Sequence, residues 1–328
     1  MKYASLKSSA VYVPEQELPN SVLQQRFPDD PEFVEKMAAK SGIQTRWRAA
    51  ANMATSDLAA KAGEKAIAAA GLKPQDISVV IVGTDSPDYI TPSTSVITAH
   101  KIGATNAGTF DVGCACSSFP TAFSIASGLM ATNESYRYIL VIGAYLMSRL
   151  ADESDLMSFF YGDGAGAVVL EAKDKPGFVS SALLADGSYA KDWGIYAGGT
   201  VEPANNDAIA AGRTQVKMLN KYPPSVNEDG WPKLVHDVCE RGKFSIGDVD
   251  LFIFTQVRKR TIEKVMQKLE IPWEKTHCVM EKWGYTGSAC IPMALHDALE
   301  EKKAKQGDLV VLIGSGVGYN QAGVAFYL

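Results

Sequence analysis

The sequence predicts an α/β protein in which one unit of buried strands and covering helices occurs twice. Two nearly continuous apolar runs carry that expectation: DISVVIVGT, ending at Thr84, and DVDLFIFT, ending at Thr255. Such runs have no polar face, which suits strands buried on both sides in a parallel sheet covered by helices. Each follows an amphipathic stretch closed by glycine, Ser56 to Ala70 before Gly71, and GWPKLVHDVCERG ending at Gly242. Thr55 and Ser56 read as N-terminal caps and the glycines as C-terminal ones. The third observation is spacing. Thr84 and Thr255 stand about 171 residues apart, as do Gly143 of YILVIGAY and Gly314 of LVVLIGSG, and a fixed offset marks a duplication. The same shift carries Cys116 onto Gly287, each opening a small-residue helical stretch, CSSFPTAFSIASGLM and GSACIPMALHDALEE. The expected division is therefore two joined halves, 1–172 and 173–328.

The bulk composition narrows the function. The 328 residues are 46% hydrophobic, enough for a large core, and the net charge of −5 comes without any basic block. That argues against a nucleic-acid partner. The longest apolar run, Tyr138 to Met147, is far short of the roughly 20 residues a membrane helix needs, and MKYASLKSSAVYVPE lacks the apolar stretch of a secretory signal. Five cysteines, an odd number, fit reduced thiols in the cytoplasm. Cys114 and Cys116 have no second cysteine pair or nearby histidine, so no metal site is expected. Cys239, Cys278 and Cys290 read as small buried hydrophobes. GDGAG (Gly162 to Gly166) and GSGVG (Gly314 to Gly318) match no nucleotide fingerprint, since GDGAG precedes a strand where a phosphate loop would open a helix. Both are expected to be tight turns that bring backbone close to Cys116.

Cys116 is the candidate nucleophile. In DVGCACSSF it is crowded by Gly113, Ala115, Ser117 and Ser118, and helical patterning begins directly after it. Free N–H groups and the positive end of a helix dipole stabilise a thiolate, so its pKa is expected below the ~8.5 of a free thiol. The same N–H groups could hold an oxyanion.

The whole chain resembles β-ketoacyl-ACP synthase III of the thiolase superfamily. KSGIQTRWRAA, DVGCACSSF, YGDGAGAVVLE with LADGSY after it, GYTGSACIPMAL and GSGVGYNQAGVAF carry the resemblance from end to end. It implies a thiolase-like duplicated five-layer αβαβα fold, usually a homodimer, and an acyl-enzyme on Cys116. The acyl group would arrive on coenzyme A or an acyl carrier protein, with no other cofactor. The oxyanion donors would be the backbone N–H groups of Cys116 and Val317.

The departures from the family pattern are as specific as the matches. The family's catalytic set is Cys, His and Asn. Here the segment that aligns with the histidine motif is TQVR, with Thr255 in the histidine position, and Tyr285 of Gly284-Tyr285-Thr286-Gly287 stands where the asparagine belongs. The histidine and asparagine donate hydrogen bonds to a malonyl thioester carbonyl as it becomes enolate-like, and losing one such donor typically costs ~10²–10³ in rate. None of the four histidines, His100, His236, His277 and His296, stands at the catalytic position; His236 and His296 fall within amphipathic helices, and His277, in a short THCVM strand, is the only one expected near the site. Lys36, Lys40 and Asp155 stand where the family often has Trp and Arg residues against the adenine of coenzyme A, which favours a carrier protein as donor. Thr91 and Ser315 replace two Phe residues that bound the acyl pocket, with Phe119 beside them, so a longer or bulkier chain should fit. Three functions are compatible: a condensing synthase, an acyltransferase that does not decarboxylate, and a non-catalytic partner of a heterodimer.

Overall fold

The computed structural model describes residues 2–223 and 225–328. A five-stranded sheet forms in the first half, in the order Tyr3–Tyr12, Gly164–Lys173, Tyr138–Tyr145, Val79–Gly83, Gly108–Val112. The second half repeats it with four strands, Phe178–Ala185, Asn320–Tyr327, Leu309–Gly316 and Leu251–Phe254. Both sheets are mixed, which corrects the expected parallel arrangement. The apolar strands Val79–Gly83 and Leu251–Phe254 do pair in parallel with Tyr138–Tyr145 and Leu309–Gly316, and Gly108–Val112 joins Val79–Gly83 in parallel too, but Gly164–Lys173 and Asn320–Tyr327 run antiparallel to both of their neighbours. A continuous apolar run reports burial on both faces and says nothing of direction.

Two helices lie between the sheets: Ser118–Thr132, which follows Cys116, and Cys290–Glu300. Thr55–Ala69 and Thr94–Ile102 cover the outer face of the first sheet, and Ser225–Gly242 covers that of the second. The layers alternate helix, sheet, helix, sheet, helix, and the core between the sheets is continuous through both halves. Where a copy of Gly108–Val112 would lie in the second half, the chain instead makes the short helix Met280–Trp283. The expected THCVM strand is therefore reduced to one bridge between Thr276 and Phe252.

The offset between the central helices is one residue larger than between the strands. Ala115–Ser117 and Gly287–Ala289 are matching tight turns, each opened by a left-handed residue, Ala115 at φ 47° and Gly287 at φ 42°. The partner of Cys116 is thus Ser288, the middle residue of its turn, rather than Gly287. Thr55 and Ser56 are not caps either. The first helix is capped by the Asp57 carboxylate, which accepts from Ala54 N. Thr55 Oγ1 donates to Ser86 O at 2.5 Å and Ser56 Oγ to Asp88 at 2.5 Å, tying the helix to the loop after Val79–Gly83.

Candidate active site

Cys116 sits at the centre of its turn, buried to 3% exposure, just before the α-helix that starts at Ser118. Ser118 Oγ accepts from Cys114 N at 2.9 Å and Ser117 Oγ donates to Cys114 O at 2.7 Å, which fixes the turn. GSGVG packs against it as expected. A Cβ on Gly316 would collide with Cys114 O and lie 3.0 Å from Cys116 N, and one on Gly314 would lie 2.9 Å from Ser117 Cα. Val317 therefore follows directly on the backbone that touches Cys116 N. GDGAG does not reach the cysteine. Its glycines lie against Trp283, Pro292 and Met293, at the start of the second central helix. The repeat explains this: the counterpart of Gly314 is Gly143, where a Cβ would collide with Ser288 O, so it backs the turn of the other half, which carries no thiol.

Tyr285 is the first neighbour of the thiol, its hydroxyl in a very short contact with Cys116 Sγ. The tyrosine is clamped through its backbone, with Tyr285 N donating to Phe160 O and Gly162 N donating to Tyr285 O. Tyr145 lies 5.9 Å from its ring, centroid to centroid. Thr255 is also buried, but its hydroxyl is engaged: it accepts from Ser315 N at 3.0 Å. Ser315 in turn accepts from Trp231 Nε1 at 3.0 Å and donates to Asn227, so it is tied into the wall. Phe119 is fully buried beside Phe123.

The thiol is not depressed. Burial, then the charge of Asp85, then Cys290 push the Cys116 pKa well above the ordinary value. That overturns the expectation drawn from the helix end. A dipole's partial charge does not offset near-complete desolvation with an anion nearby. Burial likewise holds Tyr285 and Tyr145 protonated. Cys290 is pushed up to about 12, chiefly by burial.

Other expected contributors lie elsewhere. His277 pairs with Asp297 at 2.6 Å, and Lys282 binds the other oxygen of the same carboxylate at 2.5 Å. Its imidazole is thus committed to that cluster and not to Cys116. Thr91 is exposed on the loop with Tyr89 and Ile90, outside the buried group around the thiol. Lys36 and Lys40 are exposed on the helix Phe33–Ser41, with Lys36 paired to Glu32 at 2.6 Å. Asp155 caps a short turn through Met157 N and bonds Lys217 at 3.2 Å.

One group was missed from the sequence. Asp85, two residues beyond the strand Val79–Gly83, accepts from Ser288 Oγ at 2.5 Å, and the same hydroxyl lies 3.0 Å from Ala115 O. Its signal was available: a carboxylate placed at the carboxyl end of a fully buried strand, where open α/β sheets gather their ligands.

Comparison with known proteins gives the family. Residues 110–187 match the family model of 3-oxoacyl-[acyl-carrier-protein] synthase III, and residues 239–328 match the model of its C-terminal region. The chain is 35% identical over 322 residues to the β-ketoacyl-[acyl-carrier-protein] synthase III of Syntrophomonas wolfei, covering 95% of this chain and 93% of that one. It is 35% identical over 335 residues to the enzyme of Helicobacter hepaticus, covering 99% and 98%. Among solved structures, the synthase III of Aquifex aeolicus superposes with a TM-score of 0.88 at 28% identity, over 99% of this chain and all of that one. The priming β-ketosynthase of the R1128 polyketide pathway superposes with a TM-score of 0.91 at 27% identity, over all of this chain and 96% of that one. Among the described residues, no helix is long and apolar enough to cross a membrane. This chain belongs to the 3-oxoacyl-[acyl-carrier-protein] synthase III family, a family of acyltransferases with the thiolase-like fold.

Proposed function

We propose that the protein takes an acyl group from a thioester onto Cys116 and hands it to an acceptor from a site whose hydrogen-bond donors are hydroxyls. The observation that carries this reading is the contact of Tyr285 Oη with Cys116 Sγ inside a buried turn. As the thiol attacks the thioester carbonyl, the sulfur–carbonyl bond forms and the pantetheine thiol leaves. The backbone N–H groups of Cys116 and Val317 are the proposed oxyanion donors. Thr255 and Tyr285 take the positions of the family's imidazole and amide. A neutral phenol polarises a developing enolate less than those donors do, and Thr255 already accepts from Ser315 N.

Carbon–carbon condensation with a malonyl thioester is the family's reaction and the first reading of the hand-off step. The second reading, transfer to an oxygen or nitrogen nucleophile without decarboxylation, is favoured by the donor set just described. We further propose an acyl carrier protein as donor in preference to coenzyme A, because Lys36 and Lys40 are exposed where an acidic surface could approach. The assembly would be a homodimer about the edge strand Gly108–Val112, which has one paired neighbour among the described residues. Incubation with matched acyl chains on both carriers, followed by intact-protein mass, tests the donor. A faster gain from the coenzyme A thioester would refute the carrier preference, and a monomer in light scattering at micromolar concentration would refute the dimer.

A further inference from the structure

His277 is a buried base that the acyl-transfer site does not use. It is 5% exposed and lies between the bridge at Thr276 and the helix Met280–Trp283. The side-chain amide of Gln256 anchors this segment, donating to His277 O at 3.3 Å and accepting from Val279 N at 2.8 Å. The two ring nitrogens have unequal surroundings. Nε2 lies 2.6 Å from Asp297 Oδ2, and the other oxygen of that carboxylate takes a bond from Lys282 at 2.5 Å. A carboxylate that already binds an ammonium is an acceptor, so Nε2 carries the proton and the lone pair of the neutral ring is on Nδ1. Nδ1 is buried and has no hydrogen-bond partner among the described residues. It faces Glu301, whose Oε2 is 4.0 Å away, too far for a hydrogen bond. A buried polar atom left in this way calls for a physical reason.

Glu301 is as loosely held. It caps the end of the helix Cys290–Glu300, one turn after Asp297, and its side chain is 48% exposed. Lys303 Nζ stands 3.8 Å from Oε2 and Lys282 Nζ 3.9 Å from Oε1, so both ammonium groups are beyond hydrogen-bond distance. One ligand atom from each of His277, Asp297 and Glu301 lies within 4.8 Å of the others. A lone pair and a carboxylate oxygen that face each other at this separation suit a cation between them. Zinc binds imidazole nitrogen and carboxylate oxygen at about 2.0–2.2 Å, so two such ligands on a tetrahedral ion stand about 3.4 Å apart. The half-exposed glutamate would have to move by about half an ångström. Asp297 has the place that a ligating histidine requires: it takes the other ring N–H, which fixes the tautomer and raises the basicity of the free nitrogen. Lys282 balances its charge.

We propose that His277 Nδ1 and Glu301 Oε2 form a binding site for a divalent transition-metal ion of the zinc type, with Asp297 as the outer carboxylate that orients the imidazole. Solvent on the exposed side of Glu301 completes the coordination, and the ion takes the place of Lys303 beside the glutamate. Imidazole with carboxylate is a donor set that suits zinc better than magnesium or calcium, which favour oxygen alone. The bound ion ties the end of the helix Cys290–Glu300 to the segment that Gln256 anchors, and Gln256 is the residue after Thr255. The role is structural, a clasp between two parts of the second half.

The test titrates the whole chain with Zn²⁺ alone. Affinity is read by competition with a chromophoric chelator, and the imidazole by nitrogen NMR. The expected result is saturable binding in the wild type, with the Nδ1 resonance of His277 shifted and Nε2 still protonated. His277→Gln, Glu301→Gln and Asp297→Asn should each weaken binding by about tenfold or more. Cys278→Ser removes the adjacent thiol and should leave affinity unchanged. Lys303→Ala removes the competing ammonium and should tighten binding severalfold, an effect that a cluster held together by ion pairs alone would not give. Mg²⁺ should not displace the zinc. The absence of saturable binding in the wild type, or a Nδ1 resonance that Zn²⁺ does not move, overturns the proposal. So does a His277→Gln protein that binds as tightly as the wild type, which would place the metal on the thiols. Because the wild-type resonances decide this alone, a variant that fails to fold leaves the test intact.

Discussion

The two matching turns of this protein share a backbone and divide the chemistry. Ala115–Ser117 and Gly287–Ala289 both open with a left-handed residue, and each leads into a helix whose third residue is proline. Each proline faces a strand glycine of the other half: a Cβ on Gly314 would lie 2.9 Å from Pro120, and one on Gly143 would lie 2.9 Å from Pro292. Only the middle side chain separates them functionally. Cys116 presents a thiol to Tyr285, while Ser288 presents a hydroxyl to Asp85 and to the carbonyl that precedes Cys116. In the proposed reading one turn holds the nucleophile, and the second buttresses it through the Ser288 contact with Ala115 O. The first turn carries alanine at φ 47°, a conformation that costs a non-glycine residue about 1–2 kcal/mol. The strain sits in the half where the reactive group must be aimed.

The largest way to break the comparison is to remove the thiol. Cys116→Ala should lose acyl loading entirely, whereas Cys114→Ala should keep it, since Cys114 stands at the edge of the turn with its thiol also raised by burial. Intact mass after incubation with acyl thioesters reads both. Next comes Asp85. Burial raises the Asp85 pKa to about 6 in the folded protein, against about 3.9 for a free aspartate, so folded binds more protons than unfolded across that window. Stability therefore falls as pH rises through it, and the full penalty, on the order of 3 kcal/mol, is present above it. Asp85→Asn should raise the melting temperature well above pH 6 and leave it nearly unchanged near pH 4. A variant with equal shifts at both would contradict the assignment.

Gly287→Ala tests the twin turn. The added methyl meets the Tyr145 ring at a left-handed φ, and overpacking of this kind costs about 1–3 kcal/mol. Denaturant unfolding should show that loss, with Tyr145 and Tyr285 displaced and loading slowed. The smallest expected effect belongs to the donors. If Thr255 and Tyr285 stand in for the family's histidine and asparagine, the double change Thr255→His with Tyr285→Asn should raise malonyl-thioester decarboxylation at least tenfold, or about 1.4 kcal/mol of barrier. A flat result with Cys116 loading intact would mean that pocket shape excludes malonyl.

Much of this architecture is legible in the residues. The apolar runs ending at Thr84 and Thr255, and the small residues around Cys116, place the strands and the tight turn at Cys116, because burial and close backbone approach restrict residue type directly. The motifs carry the family. Strand direction was not legible, since apolar runs do not encode it. The pairing of Cys116 with Ser288 was hidden by a one-residue change in offset between strands and central helices. The bond between Asp85 and Ser288 was not legible, because it joins residues some 200 apart in the chain. The thiol's raised pKa was also beyond sequence reach, because it depends on how completely Tyr285 and the two halves enclose the sulfur.

The most direct measurement is the location of the acyl group. After brief reaction with an octanoyl thioester, the protein is digested and the peptides spanning Gly113–Phe123 and Gly284–Met293 are resolved by mass. The expected result is one adduct, on Cys116, with none on Cys114, Ser288 or Cys290. An adduct on Cys114 or Ser288 with Cys116 free, or labelling that persists in Cys116→Ala, would contradict the division of labour between the two turns.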